Sequence, residues 1–348
     1  MQSIRHLVAC VLTTLCALAW IPDARTQSLP NTSSHVPDTM SSEAQAIMKS
    51  LSKVDWSMRQ VPAPDDTAAW KRLREAQLSV QIPQGEKVAA REQVTLKDTE
   101  LAGVPVLEIQ PKGWQEKKQV IIYTHGGAYT MSSARGRLLA MPLLANATGI
   151  RIISVDYTTA PHADWKVIQA QVISVFKALL SQGYAMKDIA LLGDSAGGGL
   201  ALSTVINLRD LGLGMPASLV LWSPWADLTN RGDTAVSLVD ADPILNYALM
   251  LSSSAQAYAN GLRLDDPRVS PLYADLAKGM PPTLIQEGTR TIFLSTSVRL
   301  YRKLDESGQH VVIDMYEGMP HVFQDFPIPE AVSAVEKSAA FILKHFKS

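Results

Sequence analysis

Ser195 stands at the centre of Gly193-Asp194-Ser195-Ala196-Gly197, a G-x-S-x-G pentapeptide between an apolar run ending at Gly193 and a small-residue run from Ala196 to Leu208. The first run reads as a buried parallel strand and the second as a helix, so the serine occupies a sharp strand-to-helix turn. Such a turn strains its apex residue and leaves the hydroxyl exposed above the sheet, which is what a serine nucleophile needs. Attack on a carbonyl creates an oxyanion, and fixed backbone N–H donors stabilise it. The segment His125-Gly126-Gly127-Ala128-Tyr129 follows a second apolar run, Gln119 to Thr124, and supplies Gly126 and Gly127 as donors together with Ala196. A general base in this arrangement comes late in the chain. His321, in Gly318-Met319-Pro320-His321-Val322-Phe323 after the run Val311 to Tyr316, is the candidate among seven histidines. His125 reads instead as a residue that holds its own loop, and His162 and His310 as peripheral. Each signal alone fits an ordinary glycine turn or a structural histidine; it is their succession at strand ends that points to nucleophilic catalysis.

The elements that must position these residues are short and regular. Apolar strands are expected at 119–124, 151–155, 189–192, 218–222, 282–286 and 311–315, with helical segments between them. That alternation predicts an α/β fold with a mostly parallel central sheet and helices on both faces, whose ligand sits beyond the carboxyl ends of the strands. Ahead of the sheet, Ser42 to Leu51 opens with a serine and carries Gln45 three residues on, as in a capping box, and Asp65 to Leu78 spaces Trp70, Leu73 and Leu78 helically. Both are expected to form an N-terminal helical cap. The alternating stretch Val88 to Ile109 reads as antiparallel strands that open the sheet.

With 348 residues, 47% of them apolar, the chain can bury one large core with a cap. Its 32 Lys plus Arg against 33 Asp plus Glu give no strong field, so neither nucleic acid nor an anionic membrane is an expected partner, and a small neutral substrate is. The basic start Arg5-His6 followed by an apolar run from Leu7 to Trp20 has the form of a signal peptide, too short to span a bilayer. Cleavage near Ala19 or Ala24 predicts release to the periplasm or medium with no stable membrane insertion; an uncleaved N-terminal anchor is the alternative. Both cysteines, Cys10 and Cys16, fall within this leader, so the mature chain carries neither thiol nor disulfide. Leu7-Val8-Ala9-Cys10 is superficially like a lipoprotein site but has too few apolar residues before it. The expected division is a signal peptide over 1–24, a linker and cap helices over 25–95, and a catalytic domain over 96–348. Oligomeric state is left open, a homodimer included.

Together, His-Gly-Gly-Ala-Tyr at 125–129, Gly-Asp-Ser-Ala-Gly-Gly-Gly at 193–199 and Gly-Met-Pro-His-Val-Phe at 318–323 resemble the bacterial hormone-sensitive-lipase family of carboxylesterases. Val155-Asp156-Tyr157 with Ala160-Pro161, Trp222-Ser223-Pro224-Trp225-Ala226-Asp227-Leu228 and Asp266 to Leu272 agree with it, and the likeness runs from about residue 40 to the end. It implies an α/β-hydrolase fold with an N-terminal helical cap, no metal or organic cofactor, and hydrolysis of esters with short to medium acyl groups.

One member of the family pattern is missing. The resemblance places the triad acid just past the strand Pro282 to Gly288, where this chain has Arg290 and Thr291. A carboxylate there would orient the imidazole and stabilise the imidazolium. Three readings stand: Glu287 at the strand end takes over, Asp227 supplies the acid from another loop, or Ser195 and His321 work as a dyad. Tyr129, Trp222 and Trp225, with Trp56 or Met58 from the cap, are candidates to line an apolar acyl pocket. The chemistry expected is that of a serine carboxylesterase. A lactone hydrolase would use the same groups, and a non-catalytic ligand-binding member would explain the lost acid.

Overall fold

The computed structural model describes residues 35–51 and 61–346. The leader, both cysteines, Trp56 and Met58 lie outside the described residues. From Val36 onward the chain forms one compact unit. In chain order it comprises α1 (Ser42–Leu51), α2 (Thr67–Arg91), β1 (Thr95–Leu101), β2 (Val104–Gln110), β3 (Val120–Thr124), α3 (Met141–Thr148), β4 (Ile152–Val155), α4 (Trp165–Ser181), β5 (Ile189–Asp194), α5 (Ala196–Asp210), β6 (Ser218–Trp222), the single turn α6 (Thr234–Ser237), α7 (Ser252–Ala259), β7 (Thr283–Gly288), α8 (Leu294–Glu306), β8 (Val311–Tyr316) and α9 (Pro329–His345).

The strands form one sheet of eight in the order β1-β2-β4-β3-β5-β6-β7-β8. β1, β2 and β4 pair antiparallel, and every pair from β4 to β8 is parallel. The expected strands are all present within one or two residues of their expected ends. Strands covered on both faces read as unbroken apolar runs; β3, β4 and β6 are buried at every position. Alternate side chains nonetheless go to opposite layers. Val120, Ile122 and Leu191 join α4, α5 and α7 in one core, while Ile121, Tyr123, Leu192 and Trp222 join α3 and α9 in the other.

Two expectations at the N-terminal end are corrected. The helix expected over 65–78 runs on to Arg91, through Pro83 and Gly85, so the antiparallel strands begin at Thr95 rather than near Val88. Pro and Gly argue against a helix interior locally. Tertiary contact overrides them: Gly85 lies so close to Leu138 that a Cβ there would be 2.7 Å from the Leu138 Cβ. The cap of α1 shifts by one residue, since the Ser41 hydroxyl, not that of Ser42, accepts the Ala44 N–H at 3.1 Å.

These two helices frame different loops. α1 buries Ala44 and Met48, with Met40 before it, against Met319, Phe323 and Ile328 around the late histidine. α2 reaches the loop after β3, where the Ser132 N–H donates to Gln77 Oε1 at 3.1 Å and Arg74 Nε donates to the Ser132 carbonyl at 2.7 Å.

Candidate active site

β5 ends at Asp194 and α5 starts at Ala196, leaving Ser195 alone at the turn with φ 54° and ψ −123°. A residue held at positive φ without being glycine is strained, and the surroundings must enforce it. Here the Ser195 N–H donates to the Trp222 carbonyl at 2.8 Å, and the Ser195 carbonyl accepts the Trp225 N–H at 2.7 Å. Gly197 permits the close approach of the next loop: a Cβ would lie 2.0 Å from the Thr124 carbonyl oxygen. Ser195 is 8% exposed and lines a cavity of about 1070 Å³ with His321 and Gly127.

The structure brings the two candidate catalytic residues together. His321 Nε2 lies 2.9 Å from Ser195 Oγ, with Oγ as donor when the imidazole is neutral and unprotonated at that nitrogen. Phe293 packs edge-on against the ring at 5.1 Å, and the Val322 N–H donates to Ser223 Oγ at 3.1 Å, fixing the loop. Burial pushes the imidazole from 6.5 down to about 3, a fall opposed by the Asp194 charge and reinforced by Arg137. The second ring nitrogen, Nδ1, is buried with no hydrogen-bond partner among the described residues.

The carboxylate readings are corrected accordingly. Glu287 is fully buried, but its Oε2 accepts the Ser297 hydroxyl at 2.7 Å and its Oε1 the Gly288 N–H at 3.1 Å; it makes no hydrogen bond to His321. Strand parity explains this. Gln286 reaches Ala334 and Ser338 of α9, so Glu287, one residue on, points to the opposite face toward Ser297 of α8. Burial raises its carboxyl from 4.5 to about 7, partly offset by hydrogen bonds from Ser297, Ser223 and Gly288. Asp227 is engaged elsewhere, with Arg299 at 2.7 Å, the Tyr273 hydroxyl at 3.0 Å and Thr229. Thr291 is fully buried, and its hydroxyl accepts the Phe293 N–H at 3.2 Å.

A further buried acid lies outside the motifs of the sequence. Asp242 accepts the N–H groups of Ile244, Leu245 and Ile292 at 2.8–2.9 Å and a hydrogen bond from Thr291, and burial lifts it to about 6. Its position before Pro243, in a turn where aspartate bonds its own following backbone, was the available signal. It ties down the segment that carries Phe293.

Of the three oxyanion candidates, Gly126 has its N–H engaged: it donates to Asp194 Oδ1 at 2.7 Å. Gly127, at φ 118°, turns its own N–H away from protein acceptors among the described residues, and a side chain there would put Cβ 2.3 Å from the Met131 carbonyl. Ala196 is the first residue of α5, where an N–H has no intrahelical acceptor. Gly127 and Ala196 are thus the donors available for an oxyanion. His125 holds its loop as expected, stacking on Tyr157 at 4.2 Å with Nδ1 2.7 Å from the Gly126 carbonyl.

The aromatic pocket residues are corrected as well. Trp222 faces α9, donating to Ser338 Oγ at 3.0 Å; Tyr129 stacks on Tyr258 at 3.7 Å, and Trp225 on Phe293 at 5.8 Å, all within the core. The cavity is lined instead by aliphatic side chains such as Met131, Leu143, Ile244, Leu245 and Met250, with Val88 and Gln84 of α2 at one side. These come from helix turns and loops whose apolar residues are not separable from core in the sequence.

Comparison with known proteins bears on the family and the fold. Residues 121–325 match the α/β-hydrolase fold family. An esterase of Acinetobacter venetianus is 35% identical over 250 residues, covering 71% of this chain and 82% of that protein. The crystal structure of an esterase superposes with a TM-score of 0.84 at 28% identity, covering 94% of this chain and 99% of that one. Another, of an esterase from the bacterial hormone-sensitive lipase family, gives 0.74 at 28% identity over 88% of this chain and 99% of its own. With the fold, the strained serine and its histidine in place, the chain belongs to the α/β-hydrolase fold family as a carboxylic ester hydrolase of the hormone-sensitive-lipase type.

Proposed function

We propose that the protein is an exported serine carboxylesterase for short- to medium-acyl esters, and that it works through a Ser195–His321 dyad. The carrying observation is the 2.9 Å approach of His321 Nε2 to a strained Ser195 Oγ at the wall of an aliphatic cavity. Ser195 Oγ attacks the ester carbonyl while Nε2 takes its proton, and the N–H groups of Gly127 and Ala196 hold the oxyanion. The intermediate collapses, the alkoxide leaves with the proton from Nε2, and the acyl group stays on Ser195. Water then attacks the acyl-enzyme, giving its proton to Nε2; that proton returns to Ser195 Oγ as the carboxylic acid departs. Among the described residues no carboxylate hydrogen-bonds Nδ1, so the imidazolium is stabilised weakly, and turnover is expected to be slow for the family. Export rests on the leader sequence and is tested by sizing the mature chain from periplasm and medium.

Turnover of p-nitrophenyl acetate and butyrate by the wild type and Ser195→Ala tests the enzymatic reading. We expect loss of activity in the variant to the level of buffer. Equal rates in both would leave a non-catalytic binding protein. A lactone hydrolase shares every group named, and comparing a linear ester with a lactone of similar size separates the two.

A further inference from the structure

The buried charges beneath the nucleophile take no part in the mechanism above. Arg137 ends a 3-10 turn, Arg135–Arg137, in the loop between β3 and α3. Arg137 lines the catalytic cavity, and a single nitrogen, Nη2, donates to Asp194 Oδ2 at 2.7 Å and lies 2.6 Å from Asp325 Oδ2 as an ion pair without hydrogen-bond alignment. Asp194 immediately precedes Ser195. Asp325 follows His321 by four residues, in the turn Phe323–Asp325. Asp194 also accepts the Gly126 N–H and the Tyr123 hydroxyl, both through Oδ1. One cation therefore joins the three loops that carry the oxyanion donors, the nucleophile and the base.

Taking all three charges as ionised, the cluster carries one net negative charge at the cavity wall, with Asp194 1% exposed and Arg137 and Asp325 18% and 14% exposed. A pair broken on one side leaves an uncompensated buried charge, which is strongly unfavourable. Two loops linked only by packing have no such reason to keep a fixed separation.

We propose that Arg137 is a positioning residue that sets the distance between Ser195 and His321 by bridging Asp194 and Asp325, and that it holds Asp194 where it binds the Gly126 N–H. The inference rests on the esterase reading. Both contacts pass through one nitrogen, so a lysine ammonium can replace the bridge, whereas a neutral side chain of similar length cannot.

The test compares kcat and KM for p-nitrophenyl butyrate in the wild type, Arg137→Met, Arg137→Lys and the double variant Arg137→Met with Asp325→Asn. The double variant restores the original net charge without the bridge, and so keeps the question answerable should Arg137→Met fail to fold. Expected are a kcat lowered roughly 30- to 100-fold in both Arg137→Met backgrounds, in line with a misplaced catalytic group. KM should stay within about threefold, and Arg137→Lys should retain kcat within about tenfold, since the loss is in position rather than in substrate binding. Wild-type kcat in the double variant would overturn the proposal, because charge balance alone would then suffice; so would an Arg137→Lys as slow as Arg137→Met. A wild type with no Ser195-dependent turnover would instead overturn the functional reading.

Discussion

The two sides of the catalytic site are built to different standards. On the nucleophile side, Asp194 receives the Gly126 N–H, the Tyr123 hydroxyl and Arg137, and Ser195 is pinned by backbone bonds to Trp222 and Trp225. On the base side, His321 is held by the Phe293 edge and by the neighbouring Val322 N–H, while its own Nδ1 has no partner among the described residues. Acidic groups are present there, as Glu287 and Asp242 are both buried nearby in sequence or contact with Thr291. They spend their oxygens on backbone amides and hydroxyls. Geometry can thus be complete where electrostatics is not: the ring is in place, but among the described residues no carboxylate hydrogen-bonds Nδ1, and the Asp194 charge only partly offsets the cost of burial.

The contrast breaks most severely on the nucleophile side. Gly127→Ala forces a Cβ into the Met131 carbonyl at a φ that only glycine takes without strain. Loss of that donor should lower kcat roughly 10²- to 10³-fold, the scale for one oxyanion contact. Steady-state kinetics on p-nitrophenyl butyrate read it, with circular dichroism as the check on folding. A rate near wild type would remove Gly127 from the oxyanion hole.

Supplying the missing acid sharpens the base side. Thr291→Asp should raise kcat by roughly 10- to 100-fold, less than the ~10⁴ that the triad aspartate contributes in serine proteases, because Asp242 sits against the same position. The acid limb of the pH–rate profile should rise with it, since a carboxylate at Nδ1 favours the imidazolium and lifts His321 from about 3. An unchanged kcat and an unmoved limb would show that position 291 does not face Nδ1.

Glu287→Gln should change kcat by less than about threefold, as expected of a group that makes no hydrogen bond to the ring. Its effect is on stability. The folded carboxyl is raised from 4.5 to about 7, so its stabilising contribution is complete below 4.5 and is lost as the pH climbs through 7. Full ionisation costs roughly 3 kcal/mol on that shift. Urea denaturation of the variant should therefore show less loss of stability than the wild type between about pH 5 and 8. A large drop in kcat instead would return Glu287 to the catalytic machinery.

Residue types and spacing along the chain determined the parallel sheet, the elbow at Ser195, the glycine loop and the late histidine, because each depends on local backbone chemistry at a strand end. The gap at Arg290 and Thr291 was equally legible. That Glu287 does not fill it was not, because two residues adjacent in a strand face opposite layers, and only the pairing of β7 between β6 and β8 shows that Glu287 turns toward α8. The same holds for Gly126, whose N–H was free until Asp194, 68 residues away, came within 2.7 Å. Helix α2 running through Pro83 and the bridge from Arg137 to two loops are likewise products of packing, where burial makes contacts between distant residues outweigh local preference.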